Sequence, residues 1–140
     1  MVDGAAVQRY IDYWHWLTPE SVRALGRVAV PGFSFRDPFN QLVGLGAVEA
    51  MLHDMFTRLT DPKFEVVDVA VSGDTAYLKW IFTAKNWRLE GMSEVKFNAD
   101  GLALYHVDHW DAAAQVYERL PVIGWVLRFL RRRLGHPSGS

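Results

Sequence analysis

The sequence predicts an α+β domain, with helices on one face of a curved antiparallel sheet, and three observations carry that prediction. Up to about Leu59 the apolar side chains recur at helical spacing. From Phe64 to Trp110 the period becomes two, and turn residues punctuate the runs. With 140 residues, 50% of them hydrophobic and 14% aromatic, the chain can bury a substantial core as one domain. Helices followed by a meander is the α+β order.

The elements follow in turn. Ala6, Val7, Tyr10, Ile11, Trp14 and Leu17 form the buried stripe of a first helix over 5–17. Thr18-Pro19-Glu20 combines an N-cap, a proline at the first helical position and an acid in the first turn. It predicts a second short helix through Val22, Leu25 and Val28, closed by Pro31-Gly32. A short strand follows at 33–37. The turn Val43-Gly44-Leu45-Gly46 leads to a third helix over 47–59, with Val48, Met51, Leu52, Met55 and Leu59 inward, and Asp61-Pro62 ends it. Four strands come next: Phe64–Val71, Thr75–Lys85, Leu89–Phe97 and Leu102–Trp110, with Gly73-Asp74 and Asn98-Ala99-Asp100-Gly101 as turns. Residues 1–111 therefore form the domain, 112–134 a helical extension interrupted at Pro121 and Gly124, and 135–140 an unstructured tail.

Composition excludes several functions. There is no cysteine, which removes disulfides, thiolate catalysis and cysteine metal sites. A net charge of −1 gives no nucleic-acid footprint over the whole chain. The N-terminus has no signal-peptide pattern and no apolar run is long enough to span a bilayer, so a cytoplasmic protein is expected. The glycines at 44 and 46 lack phosphate-loop spacing. Among His106, Asp108 and His109, alternation along the strand turns His109 away from the other two, so the three do not converge and no metal is expected.

Chemistry concentrates in two stretches. In Phe33-Ser34-Phe35-Arg36-Asp37-Pro38-Phe39-Asn40, period two places Phe33, Phe35 and Asp37 on one face. A carboxylate in apolar surroundings has its pKa raised by desolvation, which suits a general base. The alternative is an ordinary turn residue, since Asp-Pro favours turns. In the last strand Leu104, His106, Asp108 and Trp110 share one face, with Tyr105, Val107, His109 and Asp111 on the other. Gly91, Ser93, Val95 and Phe97 share a face of the preceding strand, so Ser93 is placed beside His106 or Asp108 across the hairpin.

Val7-Gln8-Arg9-Tyr10, Phe35-Arg36-Asp37-Pro38, Val95-Lys96-Phe97-Asn98 and Gly101, in this order, resemble the ketosteroid isomerase branch of the nuclear transport factor two-like superfamily. The run His106-Val107-Asp108-His109-Trp110-Asp111 is similar to that of the broader SnoaL-like group. The resemblance covers about residues 5–111. It implies a cystatin-like cone, a curved sheet wrapped on three helices around a deep apolar pocket, and in many members a homodimer. It places Tyr10 at the oxyanion-stabilising tyrosine and Asp37 at the base that moves a proton beside a carbonyl. The family's second acid, a neutral carboxylic acid beside the tyrosine, falls on Ser93, which leaves Asp108, with His106 nearby, as the candidate replacement.

The expected function is acid–base chemistry without metal or cofactor on an apolar carbonyl compound, steroid-like or polyketide-like. Asp37, Tyr10, Asp108 and His106 are the catalytic candidates. Trp14, Phe33, Phe35, Phe39, Met55, Trp80, Ser93 and Trp110 are the candidate ligand-lining residues. The alternative is a non-catalytic pocket for a hydrophobic ligand, or a dimerisation domain. For the extension, one reading packs the helix on the sheet or on a partner subunit, favoured because its apolar stretch continues from the domain. The other lays it on an anionic membrane surface, with Trp125, Phe129 and Leu130 toward lipid.

Overall fold

In the computed structural model, which describes residues 1–116 and 121–135, the chain opens with helix α1 (Gly4–His15). The Asp3 carboxylate caps it by accepting from the Ala5 amide at 3.1 Å. Ala6, Val7, Tyr10 and Trp14 are its buried face. The expected second α-helix is instead a 3₁₀ helix, Val22–Arg27, and Thr18-Pro19-Glu20 precedes it in a turn. The Thr18 amide donates to Ser21 Oγ at 2.8 Å and the Ser21 amide to Thr18 Oγ1 at 3.1 Å. These reciprocal bonds have the form of a capping box and close the turn; the regular geometry that follows from Val22 is 3₁₀.

Strand β1 spans Ala29–Arg36 and so starts four residues before the expected position, running through Pro31-Gly32. Its pairing with β6 (Ala103–His109) is parallel, and the register shifts between Ala29 and Ser34. Pro31 lies in that irregular stretch, where no ladder donor is required. On its other side β1 pairs with β2 (Gln41–Val43), a three-residue edge strand that the periodicity did not reveal. Helix α2 (Leu45–Arg58) buries Val48 and Leu52. Strands β3 (Lys63–Ser72), β4 (Thr75–Ala84) and β5 (Trp87–Phe97) complete an open six-stranded sheet of order β2-β1-β6-β5-β4-β3. Every neighbouring pair is antiparallel except β1 with β6.

The inner face of the sheet follows the two-residue period of its strands. Ala76, Leu78, Trp80 and Phe82 of β4 and Ser93, Val95 and Phe97 of β5 are all buried. With Val7, Tyr10, Trp14, Val22, Leu25, Phe33, Phe35, Val48 and Leu52 they make up most of the core. Two rows across this face position the polar groups. Ser93 stands opposite both Leu78 and Asp108. Val95 stands opposite Ala76 and His106, and His106 opposite Phe35.

The residues from Asp111 onward form a second compact unit. The Asp111 carboxylate caps helix α3 (Ala112–Gln115) by accepting from the Ala114 amide at 2.9 Å. Helix α4 (Pro121–Leu134) begins at Pro121 and runs through Gly124 without interruption, as suits a proline at a first helical position. The Trp125 side chain, residues 117–120 and the 136–140 tail lie outside the described residues. No helix among the described residues is long and apolar enough to cross a membrane.

Gly91 faces Trp80 directly across β4 and β5. A Cβ there would overlap Cζ2 and Cη2 of the Trp80 ring and approach the His109 carbonyl oxygen to 3.0 Å. Because Trp80 is buried and hydrogen-bonded to Ser93, the ring has little room to retreat. Gly91→Ala is expected to destabilise the fold by about 1–3 kcal/mol, read as a lower urea midpoint with unchanged m-value. A midpoint equal to that of the wild type would show that the Trp80 ring can shift freely.

Candidate functional site

A chain of buried hydrogen bonds crosses the interior. Trp80 Nε1 donates to Ser93 Oγ at 2.8 Å, and Ser93 Oγ donates to Asp108 Oδ1 at 2.5 Å. Asp108 Oδ1 also meets His106 Nε2 at 2.6 Å, and His106 Nδ1 meets the Tyr10 hydroxyl at 2.7 Å. Strands β4, β5 and β6 and helix α1 thus each supply a member. The sheet register brings Ser93 opposite Asp108, and the two-residue step along β6 puts His106 on the same face as Asp108.

Donor and acceptor inventory fixes the direction of the chain. An indole only donates, so Ser93 accepts from Trp80 and gives its own proton to Asp108. With Asp108 a carboxylate, His106 Nε2–H donates to it, and a neutral ring then accepts the Tyr10 proton at Nδ1. The reverse sense, Nδ1–H donating to Tyr10, would require another acceptor for the Tyr10 proton. The neighbouring Trp14 indole offers a donor only. His106 is packed between rings: Phe35 stacks on it at 5.0 Å and 24°, and the centroids of Trp14 and Tyr10 lie at 5.3 and 5.9 Å.

Tyr10 is completely buried, and its pKa is held well above 10, the ordinary value. Desolvation is the leading cause, the Asp108 charge adds to it, and the Trp14 indole opposes it. The Trp14 N–H is itself buried and meets no acceptor with good hydrogen-bond geometry among the described residues. Tyr10 therefore stays a neutral phenol that hands its proton to His106.

Asp37 is placed differently from expectation. It lies just beyond the end of β1, where the alternation of the strand no longer fixes its direction. Its carboxylate is tied into a turn rather than set among apolar groups. Oδ1 accepts from the Phe39 amide at 2.8 Å, the Asn40 amide at 2.7 Å and Asn40 Nδ2 at 3.1 Å. The Asp-Pro turn reading thus describes its local structure, and the apolar-surroundings expectation is corrected. Asp37 nonetheless shares a shallow cleft of about 320 Å³ with Asp108, Trp110, Arg36, Val107 and His109. Phe39 packs edge-to-face on Trp110 at 5.5 Å beside it.

The remaining expected lining residues divide. Trp14 and Phe35 touch His106, Trp80 and Ser93 belong to the hydrogen-bond chain, and Trp110 lines the cleft. Phe33 is fully buried core and Met55 packs partly buried against that core, and neither lines this cleft. A larger cavity of about 640 Å³ opens elsewhere, walled by Trp14, Leu17, Phe56, Leu59, Phe64 and Ile81 among others. Phe56 and Phe64 were not among the expected lining residues. Phe64 was within reach of the pattern, since it pairs with Phe82 across the β3–β4 hairpin. Phe56 is brought there only by helix docking.

Residues 7–113 match the family model of the SnoaL-like domain. Among solved structures, a steroid delta-isomerase from Pseudomonas aeruginosa aligns at 18% identity and a TM-score of 0.63, over 96% of this chain and 98% of its own. A protein with a ketosteroid isomerase-like fold from Catenulispora acidiphila, solved with trimethylamine, aligns at 9% identity and 0.67, over 83% and 92%. An NTF2-like protein of unknown function from Cytophaga hutchinsonii gives 12% and 0.65, over 81% and 95%. At these identities the likeness is one of fold. No curated protein matches the sequence.

Tyr10→Phe leaves a buried His106 nitrogen without its partner and is expected to cost about 1–3 kcal/mol. Its pH dependence has a definite sign. A raised folded pKa favours the protonated phenol, so its stabilisation is complete below the unfolded value near 10 and is lost as pH rises through the folded value. Above about pH 10 the wild type should therefore lose stability more steeply than Tyr10→Phe, measured by denaturant titration at each pH. Equal slopes would contradict the buried neutral phenol.

Proposed function

The chain belongs to the SnoaL-like family, and on that premise we propose that it is a cofactor-independent acid–base catalyst acting on an apolar carbonyl compound. The reaction class is proton transfer beside the carbonyl, as in an isomerisation or a cyclisation. One observation carries this reading: Asp108 lines an open cleft while its Oδ1 is held from behind by His106 and Ser93, and His106 is bonded to the buried Tyr10.

In this reading Asp108 is the base. Its Oδ2, which takes part in neither of those bonds, removes a proton from the carbon next to the carbonyl, leaving an enolate. The same carboxylic acid then returns the proton to that carbon or to a conjugated one. The His106 N–H and the Ser93 O–H hold the carboxylate in one orientation, which is worth more in a dry interior than in water. Tyr10 does not reach the cleft; it fixes the His106 tautomer, the role that the carboxylate plays in a serine protease triad. Asp37, on the same cleft, is the second titratable group, and the Phe39–Trp110 pair offers an apolar wall to the substrate.

The larger cavity supports a second reading. Its volume lies within the range of small-molecule sites, roughly 300–1,000 Å³, and its aromatic walls suit a hydrophobic ligand held without turnover.

The test is deuterium incorporation beside the carbonyl of cyclic ketones in heavy water, followed by proton NMR. The wild type should exchange at least one such ketone. Asp108→Asn, nearly isosteric, should slow exchange by about 10²–10⁴-fold, with its far-ultraviolet spectrum unchanged. Asp37→Asn should reduce it less, since that carboxylate is partly committed to its turn. Equal exchange by Asp108→Asn and wild type would remove Asp108 as base. Saturable ligand binding in both proteins, with no exchange in either, would leave the binding module.

A further inference from the structure

From the second structural unit we infer that helix α4 is an interfacial anchor that lies on anionic phospholipid surfaces. Four of the 15 Lys and Arg residues of the chain, and none of the 16 Asp and Glu residues, fall within Pro121–Leu134. The helix therefore carries +4 while the rest of the chain carries −5. Charge spent on solubility would be spread over the surface; here it is gathered on one helix, opposite in sign to the remainder.

The arrangement round the helix is two-faced. Val126, Leu130 and Leu134 follow at intervals of four and so share a face, with Phe129 beside them. They are 43%, 45%, 83% and 39% exposed, respectively. Arg128, Arg131 and Arg132 project from the other side. Arg133 falls toward the apolar face, and its guanidinium stands 5.5 Å from the centre of the Phe129 ring, so its stem covers apolar surface while its charge stays at the border. Arg131 also reaches Asp111 at 3.4 Å, an exposed ion pair that a stronger anionic partner can displace at small cost.

These features select the occupant. At about 1.5 Å per residue the 14-residue helix is about 21 Å long, too short to span the roughly 30 Å of hydrocarbon. A cationic helix with one apolar face and a strongly charged opposite face is built to lie in the headgroup plane, with the leucines and phenylalanine in the acyl boundary and the arginines among lipid phosphates. A nucleic acid would complement the arginines and leave the apolar face in water. An apolar protein groove would cover the leucines but offer nothing that matches the charge of the arginine face. An anionic bilayer satisfies both faces.

The full-length protein is incubated with sedimenting vesicles of phosphatidylcholine alone, or with 30% phosphatidylglycerol. The wild type is expected to partition onto the anionic vesicles at least tenfold more strongly than onto neutral ones, and to release as salt rises. Leu130→Glu with Leu134→Glu should abolish partitioning, and Arg131→Glu with Arg132→Glu should weaken it by more than tenfold, taking roughly fivefold per arginine. Far-ultraviolet spectra and urea midpoints check that residues 1–110 stay folded in each variant. Equal partitioning onto both vesicle types overturns the proposal. So does full retention by the double-leucine variant, which would mark plain charge adhesion. Binding to duplex DNA without binding to anionic vesicles would overturn it in favour of nucleic acid.

Discussion

Burying the His106 ring is the constraint on which the interior depends. An imidazole carries two nitrogens, and inside a cage made by Tyr10, Trp14 and Phe35 neither can reach water. Each lost hydrogen bond would cost on the order of 1–3 kcal/mol. Two partners are therefore required, on opposite sides of the ring. One comes from helix α1, as the Tyr10 hydroxyl, and the other from two residues along β6, as the Asp108 carboxylate. The requirement ties the docking of the helix to the pairing of the last strand.

The carboxylate brings a requirement of its own. Asp108 Oδ1 is mostly shielded and accepts from both His106 and Ser93, and Ser93 in turn is oriented by Trp80. The Trp80 ring occupies its place against β5 because residue 91 has no side chain. A glycine in one strand, a serine two residues on and a tryptophan in the neighbouring strand thus cooperate to hold one oxygen. Such networks are worth more when complete than their pairwise parts, and they are costly when broken. In the proposed chemistry the other oxygen is the one that a molecule in the cleft would meet. The structural demand of burying a histidine and the chemical value of a positioned carboxylate are met by the same bonds.

The two stretches that drew attention in the sequence fared differently, and the difference is geometric. Alternation along β6 correctly grouped His106 with Asp108, because period two is rigid inside a paired strand. It failed for Asp37, because the strand ends at Arg36 and beyond it the turn, closed by bonds to Phe39 and Asn40, decides where the carboxylate points. Tyr10 was identified as a site tyrosine, but nothing local could show that its proton goes to His106, 96 residues away. The family resemblance puts the missing second acid at Ser93. In the structure it is the link that joins Trp80 to Asp108.

What the sequence determined by itself was whatever has a period or a local stop signal: the first and third helices, the four long strands, which residues of β4, β5 and β6 share a face, and the turn between β5 and β6. Those properties follow from side-chain spacing and backbone chemistry within a few residues. Tertiary structure decided the rest. It paired β1 in parallel with β6 and ran β1 through Pro31. It gathered Tyr10, Trp80, Ser93, His106 and Asp108 into one chain of bonds, and it took Phe33 and Met55 into the packed interior. Each of these outcomes depends on which distant elements share a hydrogen-bond ladder or a packed face, and that is a property of the whole chain, which no short window of residues contains.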